Sequence, residues 1–165
     1  MTLTKIDHPF QNPPLAYDAP PNHQPGIKIS FFFNKLPHVS DEHFFRHWET
    51  VHADLTIAVP QFRACKIRRY VQLQQTAEMK ARARELGMVH VDFDACTELW
   101  VERWEDWMAF FNSSAYANVT QPDCPRFLAL PIHVMVSTEN LIFGPAIPGL
   151  GGKDGVTDET LVSTD

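Results

Sequence analysis

Dense basic runs are missing from this sequence: 14 lysines and arginines stand against 20 acidic residues, for a formal charge of -6. Such a surface gives phosphates nothing to bind, so nucleic acid is not an expected partner. Cysteine is scarce. Cys65, Cys96 and Cys124 are odd in number and widely spaced, which argues against a disulfide framework and suits reduced thiols buried as small residues. No apolar run reaches the roughly 18 to 20 residues that span a bilayer, and MTLTKIDHPFQ lacks the apolar centre of a signal peptide. The expectation is a soluble, cytoplasmic chain with no membrane partner. Repeats at a solenoid period are absent as well.

What the sequence does have is apolar mass. Of its 165 residues 44% are apolar, with twelve Phe and four Trp, enough for one domain with a real core and too much for a disordered chain. The ends differ from the middle. Residues 1–26 carry Pro13, Pro14, Pro20, Pro21 and Pro25 without periodicity and read as an extended arm; residues 144–165 open as GPAIPGLGGKDG and close in a polar tail, TDETLVSTD. The domain proper is expected over 27–143.

Inside it, IKISFFF (27–33) reads as a strand, Ser40 as the N-cap of a helix running to about Val59, and 62–73 as a second strand. TAEMKARARELG is a short inserted helix stopped by Gly87, ACTELWV (95–101) a third strand, and 132–137 a fourth. Between the last two, a helix from Trp104 to about Tyr116 is expected to bury a stripe of Trp104, Met108, Phe111 and Ala115. The order β-α-β-(α)-β-α-β is the α+β, ferredoxin-like split βαβ, with a four-stranded antiparallel sheet, helices on one face and an apolar second face for another subunit.

The stretch SDEHFFRHWETVHADL (40–55) holds three histidines in about three helical turns. With Phe44 at zero and about 100° per residue, Trp48, Val51, Leu55 and Val59 define a buried stripe near 30°, and His52 falls inside it near 80°. His47, near 300°, sits at its margin, and His43 on the solvent side. On that wheel His47 and His52 are about 140° apart and cannot share one ligand. Burial keeps an inward imidazole neutral, available as a base. A core histidine satisfied by one carbonyl is the commoner outcome for such a residue, and no metal site is expected from the exposed His43 and His47 pair.

Strand parity puts Glu98 in mid-strand with Cys96 and Trp100 on its face. It needs a partner there, either a structural cation such as Arg68 or Arg69 or a catalytic histidine. Tyr70 on the second strand and His133 on the last are further candidates, provided their faces meet His52.

Three quoted segments carry a resemblance: FFFNKLPHVSDEHFFRHWETVHADL, then DACTELWVERWEDWMAFFNSSAY, then a strand near the domain's end. In their order and spacing they resemble the EthD-like branch of the dimeric α+β barrel superfamily, over about residues 27–143, and look most similar to small fungal enzymes that tailor aromatic polyketides. The resemblance implies a homodimer of two packed sheets and a lyase, a dehydratase or decarboxylase of secondary metabolism, that uses no cofactor. It also implies that His52 is the helix-one histidine of the family. A pocket lined by Phe33, Phe45, Trp48 and Trp104 would suit a planar phenolic substrate, with His52 as base and Tyr70, His133 or Glu98 as the second proton-handling group. The competing readings are a cofactor-free cyclase or anthrone-type oxygenase, and an accessory protein that binds a ligand without turnover.

Overall fold

The computed structural model describes residues 5–157. They divide into two compact units, one from Gly26 to Ser137 and one from the flanking segments. In the first unit four strands, β1 (Ile27–Lys35), β2 (Ile67–Gln74), β3 (Ala95–Val101) and β4 (Leu128–Ser137), form one antiparallel sheet in the order β2-β3-β1-β4. This is the ferredoxin-like α+β arrangement: the central strands β1 and β3 are joined through other elements, and β2 and β4 are the edges.

Cross-strand partners share a face, so the register sorts the sheet into two surfaces. Ile29, Phe31 and Phe33 of β1 lie with Leu99, Thr97 and Ala95 of β3 on the helix side; Lys28, Ser30 and Phe32 lie with Trp100, Glu98 and Cys96 on the other. Against the helix side pack α1 (Asp41–His47), α2 (Ala53–Ala58), α3 (Pro60–Ala64) and α5 (Trp104–Phe111), whereas α4 (Ala77–Glu85) buries no residue. The core falls into two clusters. Ile29, Leu99, Val101, Trp107 and Phe110 build one, and Phe33, Phe44, Trp48, Phe127 and Leu128 the other.

Local chemistry sets the element ends. Ser40 caps α1 by accepting from the His43 amide at 3.2 Å, with Asp41 and Glu42 in the first turn. Thr76 caps α4 in the same way, and Gly87, at a φ of 64°, follows its end. Pro60 does not merely stop a helix but begins α3, where a missing N–H costs nothing. The second strand therefore starts at Ile67 rather than 62, and Phe62 is helical. In α5 the buried residues are Trp107 and Phe110, while Trp104 is 41% exposed and Phe111 43%. The aromatic-rich helix offers two apolar faces, and the ring contact of Trp107 with Phe31 of the sheet selects the one not expected.

A departure from regular α geometry lies inside the first helical run. Trp48–His52 forms a π turn between α1 and α2, with the Ala53 amide bonded back to the Trp48 carbonyl five residues earlier. A second π turn, Tyr116–Thr120, leads into a 3₁₀ segment, Gln121–Arg126.

In the other unit the arm is not simply extended: it makes a 3₁₀ turn at Pro13–Leu15 and a bridge between His23 and Asn140. The Asn22 side-chain amide donates to the carbonyls of Leu141, Lys153 and Asp154, each at 3.1 Å, so arm and tail are knitted together. The polar end of the tail from residue 158 lies outside the described residues.

Candidate functional site

A cavity opens between the sheet and the helices. Its wall is aromatic, with Phe31, Phe33, Trp48, Trp107 and Phe110, and the polar groups set into it include His52, Tyr70 and Thr120. Trp48 and Phe33 meet edge to face at 5.4 Å, which holds both rings in place.

His52 is fixed by a residue that the sequence reading passed over. Asp123, only 4% exposed, lies in the 3₁₀ segment QPDCPR, with Pro122 and Pro125 on either side of it and its neighbour Cys124. Its carboxylate sits 3.0 Å from His52 Nδ1 and 3.0 Å from His47 Nε2. An ionised carboxylate can only accept, so both of those ring nitrogens carry hydrogen. For His52 this sets the tautomer and leaves Nε2 with a free lone pair. A carboxylate so deeply buried needs such partners, since burying it alone is costly.

The π turn makes the double contact. In an α-helix residues four apart stack along one face, whereas in a π turn, with its i to i+5 bonds, residues five apart do so. His47 and His52 are therefore aligned, not about 140° apart as a uniform α wheel places them. They do share one ligand. The Gln72 side-chain amide donates to the Trp48 carbonyl at 2.9 Å, supporting the turn from the sheet. Phe127 then fills the space beside both imidazoles, 5.2 Å from the His47 ring and 4.9 Å from the His52 ring.

The electrostatics favour a neutral His52. Burial lowers its pKa from the ordinary 6.5, outweighing the opposing pull of Asp123, and the nearby His47 lowers it further. Tyr70, on the helix face opposite Leu99, accepts from Gln72 at 2.9 Å, and burial pushes its hydroxyl up to about 12. It stays protonated and can donate. Burial likewise raises the Cys124 thiol to about 11.

Of the residues singled out from the sequence, His52, Tyr70, Phe33 and Trp48 come together at this cavity. Glu98 and His133 do not. Glu98 pairs across β1 with Ser30, and His133 pairs with Phe32, on the face away from the helices. The cation beside Glu98 is Lys28, at 2.6 Å, rather than Arg68 or Arg69; Arg69 lies against the Trp100 ring and Arg68 pairs with Glu102. His133 rests on Phe93, at 5.0 Å. Phe45 and Trp104 also miss the cavity: Phe45 lines a separate hollow with Lys35 and Asp94, and Trp104 turns outward with the exposed side of α5. Asp123 had one signal in the sequence, an acidic residue beside prolines and hydrophobic stretches, but nothing local to 123 marks it as a neighbour of residue 52.

Among the described residues no group of three His, Cys, Asp or Glu is arranged to hold a metal ion, and no helix is long and apolar enough to cross a membrane.

Comparison with known proteins gives one family. The family model described as the EthD domain matches residues 36–131. Curated proteins offer no match. Among solved structures, an ethyl tert-butyl ether D (EthD) family protein from Bacillus halodurans is similar at 16% identity, over 69% of this chain and 98% of its own, with a TM-score of 0.49. A hydroxynitrile lyase from Passiflora edulis is similar at 15% identity, over 76% and 100%, with a TM-score of 0.49. A dimeric ferredoxin-like protein of unknown function from Thermobifida fusca follows at 14%, over 70% and 91%, with a TM-score of 0.44.

Proposed function

The chain belongs to the EthD domain family, and from that premise we propose that it is a cofactor-independent lyase, a dehydratase acting on a fused-ring phenolic ketone of the aromatic polyketide type. The observation that carries the reading is the Asp123 carboxylate 3.0 Å from His52 Nδ1 at an aromatic-walled cavity. It supports a neutral base with its lone pair on Nε2 and a buried anion to steady the imidazolium once a proton arrives.

In the reaction His52 Nε2 takes a proton from the carbon beside the ketone, and the C–H electron pair moves into the ketone as an enolate. The enolate then expels the hydroxyl from the neighbouring carbon. The imidazolium returns its proton to that leaving group, so water departs and His52 is neutral again. Tyr70, held protonated, donates a hydrogen bond to a substrate oxygen. Conjugation in the substrate stabilises the anion, so the chemistry draws on no added group.

Dehydration is favoured over decarboxylation because, among the described residues, neither Lys nor Arg lines the cavity, leaving a substrate carboxylate without a cationic partner. The face of the sheet away from the helices supports a homodimer: Leu73 is 45% and Met135 49% exposed there, and a second copy would cover them. The test is His52→Gln, which keeps size and polarity. It should abolish turnover while ligand affinity and folding persist. Loss of water in the product mass supports the reading, whereas loss of carbon dioxide, gain of oxygen, or ligand binding without any turnover by the unaltered protein would replace it.

A further inference from the structure

Four buried side-chain polar atoms among the described residues have no hydrogen-bond partner: Trp48 Nε1, Thr120 Oγ1, Gln61 Oε1 and Gln75 Oε1. The first two belong to residues that line the His52 cavity, and the glutamines do not line it. Trp48 is 0% exposed and Thr120 2%. Their backbones come from the two π turns, Trp48 opening the first and Thr120 closing the second.

Buried polar groups in folded proteins are nearly always satisfied, and a donor left without an acceptor is a cost that a ligand can remove. The indole N–H can only donate. The polar groups of the neighbouring strand are already engaged: Gln72 donates to the Trp48 carbonyl and to Tyr70 Oη, each at 2.9 Å. No acceptor of the wall is bonded to the indole N–H or to the Thr120 hydroxyl, so a molecule entering the cavity can supply one.

We propose that Trp48 Nε1 and Thr120 Oγ1 are substrate-oxygen donors, each binding a carbonyl or enolate oxygen of an aromatic ketone held by the ring wall. This deepens the reading of the cavity as the site of a lyase for phenolic ketones and rests on it. A hydrocarbon of the same shape would leave both donors unmatched. As His52 takes its proton, negative charge moves onto the carbonyl oxygen, and donors bonded to that oxygen strengthen their bonds at that moment.

The test measures equilibrium binding to the full chain, with 1-hydroxy-2-acetonaphthone as the oxygenated probe and 2-ethylnaphthalene as the hydrocarbon. The unaltered protein should bind the ketone at least about tenfold more tightly, the worth of a hydrogen bond or two. Thr120→Val, nearly isosteric, and Trp48→Phe should each cut that preference by about threefold to tenfold, with hydrocarbon affinity little changed in Thr120→Val. If Trp48→Phe does not fold, Thr120→Val carries the test. An unaltered protein without ketone preference, a preference unmoved by Thr120→Val, or an equal loss for both probes would overturn the assignment. No turnover enters these measurements. A protein that prefers the ketone and converts no substrate therefore upholds the donors while the lyase reading falls, and an active lyase whose preference Thr120→Val leaves untouched does the reverse.

Discussion

At the scale of single residues, the proposed chemistry rests on one imidazole and one carboxylate. Asp123→Asn should lower kcat/KM by on the order of 10²–10⁴-fold, because the amide can present its N–H to His52 Nδ1 and select the wrong tautomer. The pH profile carries a second mark. In the proposed reaction neutral His52 is the active form, and its pKa is lowered from 6.5 by burial, so kcat/KM should fall on the acid side at an inflection under that value. Asp123 raises the His52 pKa, so any limb that survives in Asp123→Asn should move to lower pH. Stability follows the same sign: the unfolded chain protonates at its higher value first, so the His52 contribution is full above about 6.5 and is lost as pH drops through the folded value. His52 was legible in the sequence because its angle among Phe44, Trp48 and Leu55 marks it as inward. Asp123 was not, since its 71-residue separation from His52 is closed only by the fold.

At the scale of elements, the π turn decides which side chains meet. It holds one residue more than an α turn, and Thr50 within it is exposed. Deleting Thr50 should therefore convert the segment to plain α-helix, leave His47 and His52 four apart on one face, and retain activity within about tenfold of the unaltered protein. Inserting an alanine after Thr50 should rotate His52 away from Asp123 and abolish turnover, with the far-ultraviolet circular dichroism of a folded protein in both cases. A uniform periodicity of about 100° per residue cannot register such a turn, which is why the wheel placed His52 correctly and separated it wrongly from His47. The buried stripe of α5 moved from Trp104 to Trp107 for a different reason: a helix with aromatics on two faces is oriented by the sheet it meets. Strand parity held along β3, where the split of Cys96, Glu98 and Trp100 from Leu99 and Val101 was readable directly, but it breaks in β2 at the irregularity between Ile67 and Arg69.

For the whole molecule, the order of strands and helices was legible because β1 and β3 are short runs rich in apolar residues, IKISFFFNK and ACTELWV, with helix formers between the strands. The boundaries that shifted, at Pro60 and at Leu128, lie where proline starts a helix or where a strand extends past its β-branched centre. Phe127 ties the two ends of the domain together, touching Phe44, His47 and His52 while fully buried. Phe127→Ala should cost about 3–5 kcal/mol in denaturant unfolding and loosen the histidines with it. Assembly adds a prediction at this scale: light scattering should give a dimer, and Met135→Glu, which sets a charge on the exposed sheet face, should shift it to monomer. An active dimer unaffected by that substitution would place the interface elsewhere.

The imidazole of His52 can be read without any substrate. Nitrogen-15 NMR of the histidine rings, titrated from pH 8 to pH 5, about the range in which an imidazole near its ordinary pKa changes charge, reports tautomer and pKa together. If Asp123 holds His52 ready as a base, the spectrum at neutral pH shows the Nδ1–H form predominant with Nε2 unprotonated, and the protonation midpoint falls below 6.5. An Nε2–H tautomer, or a ring already charged at neutral pH, would contradict it.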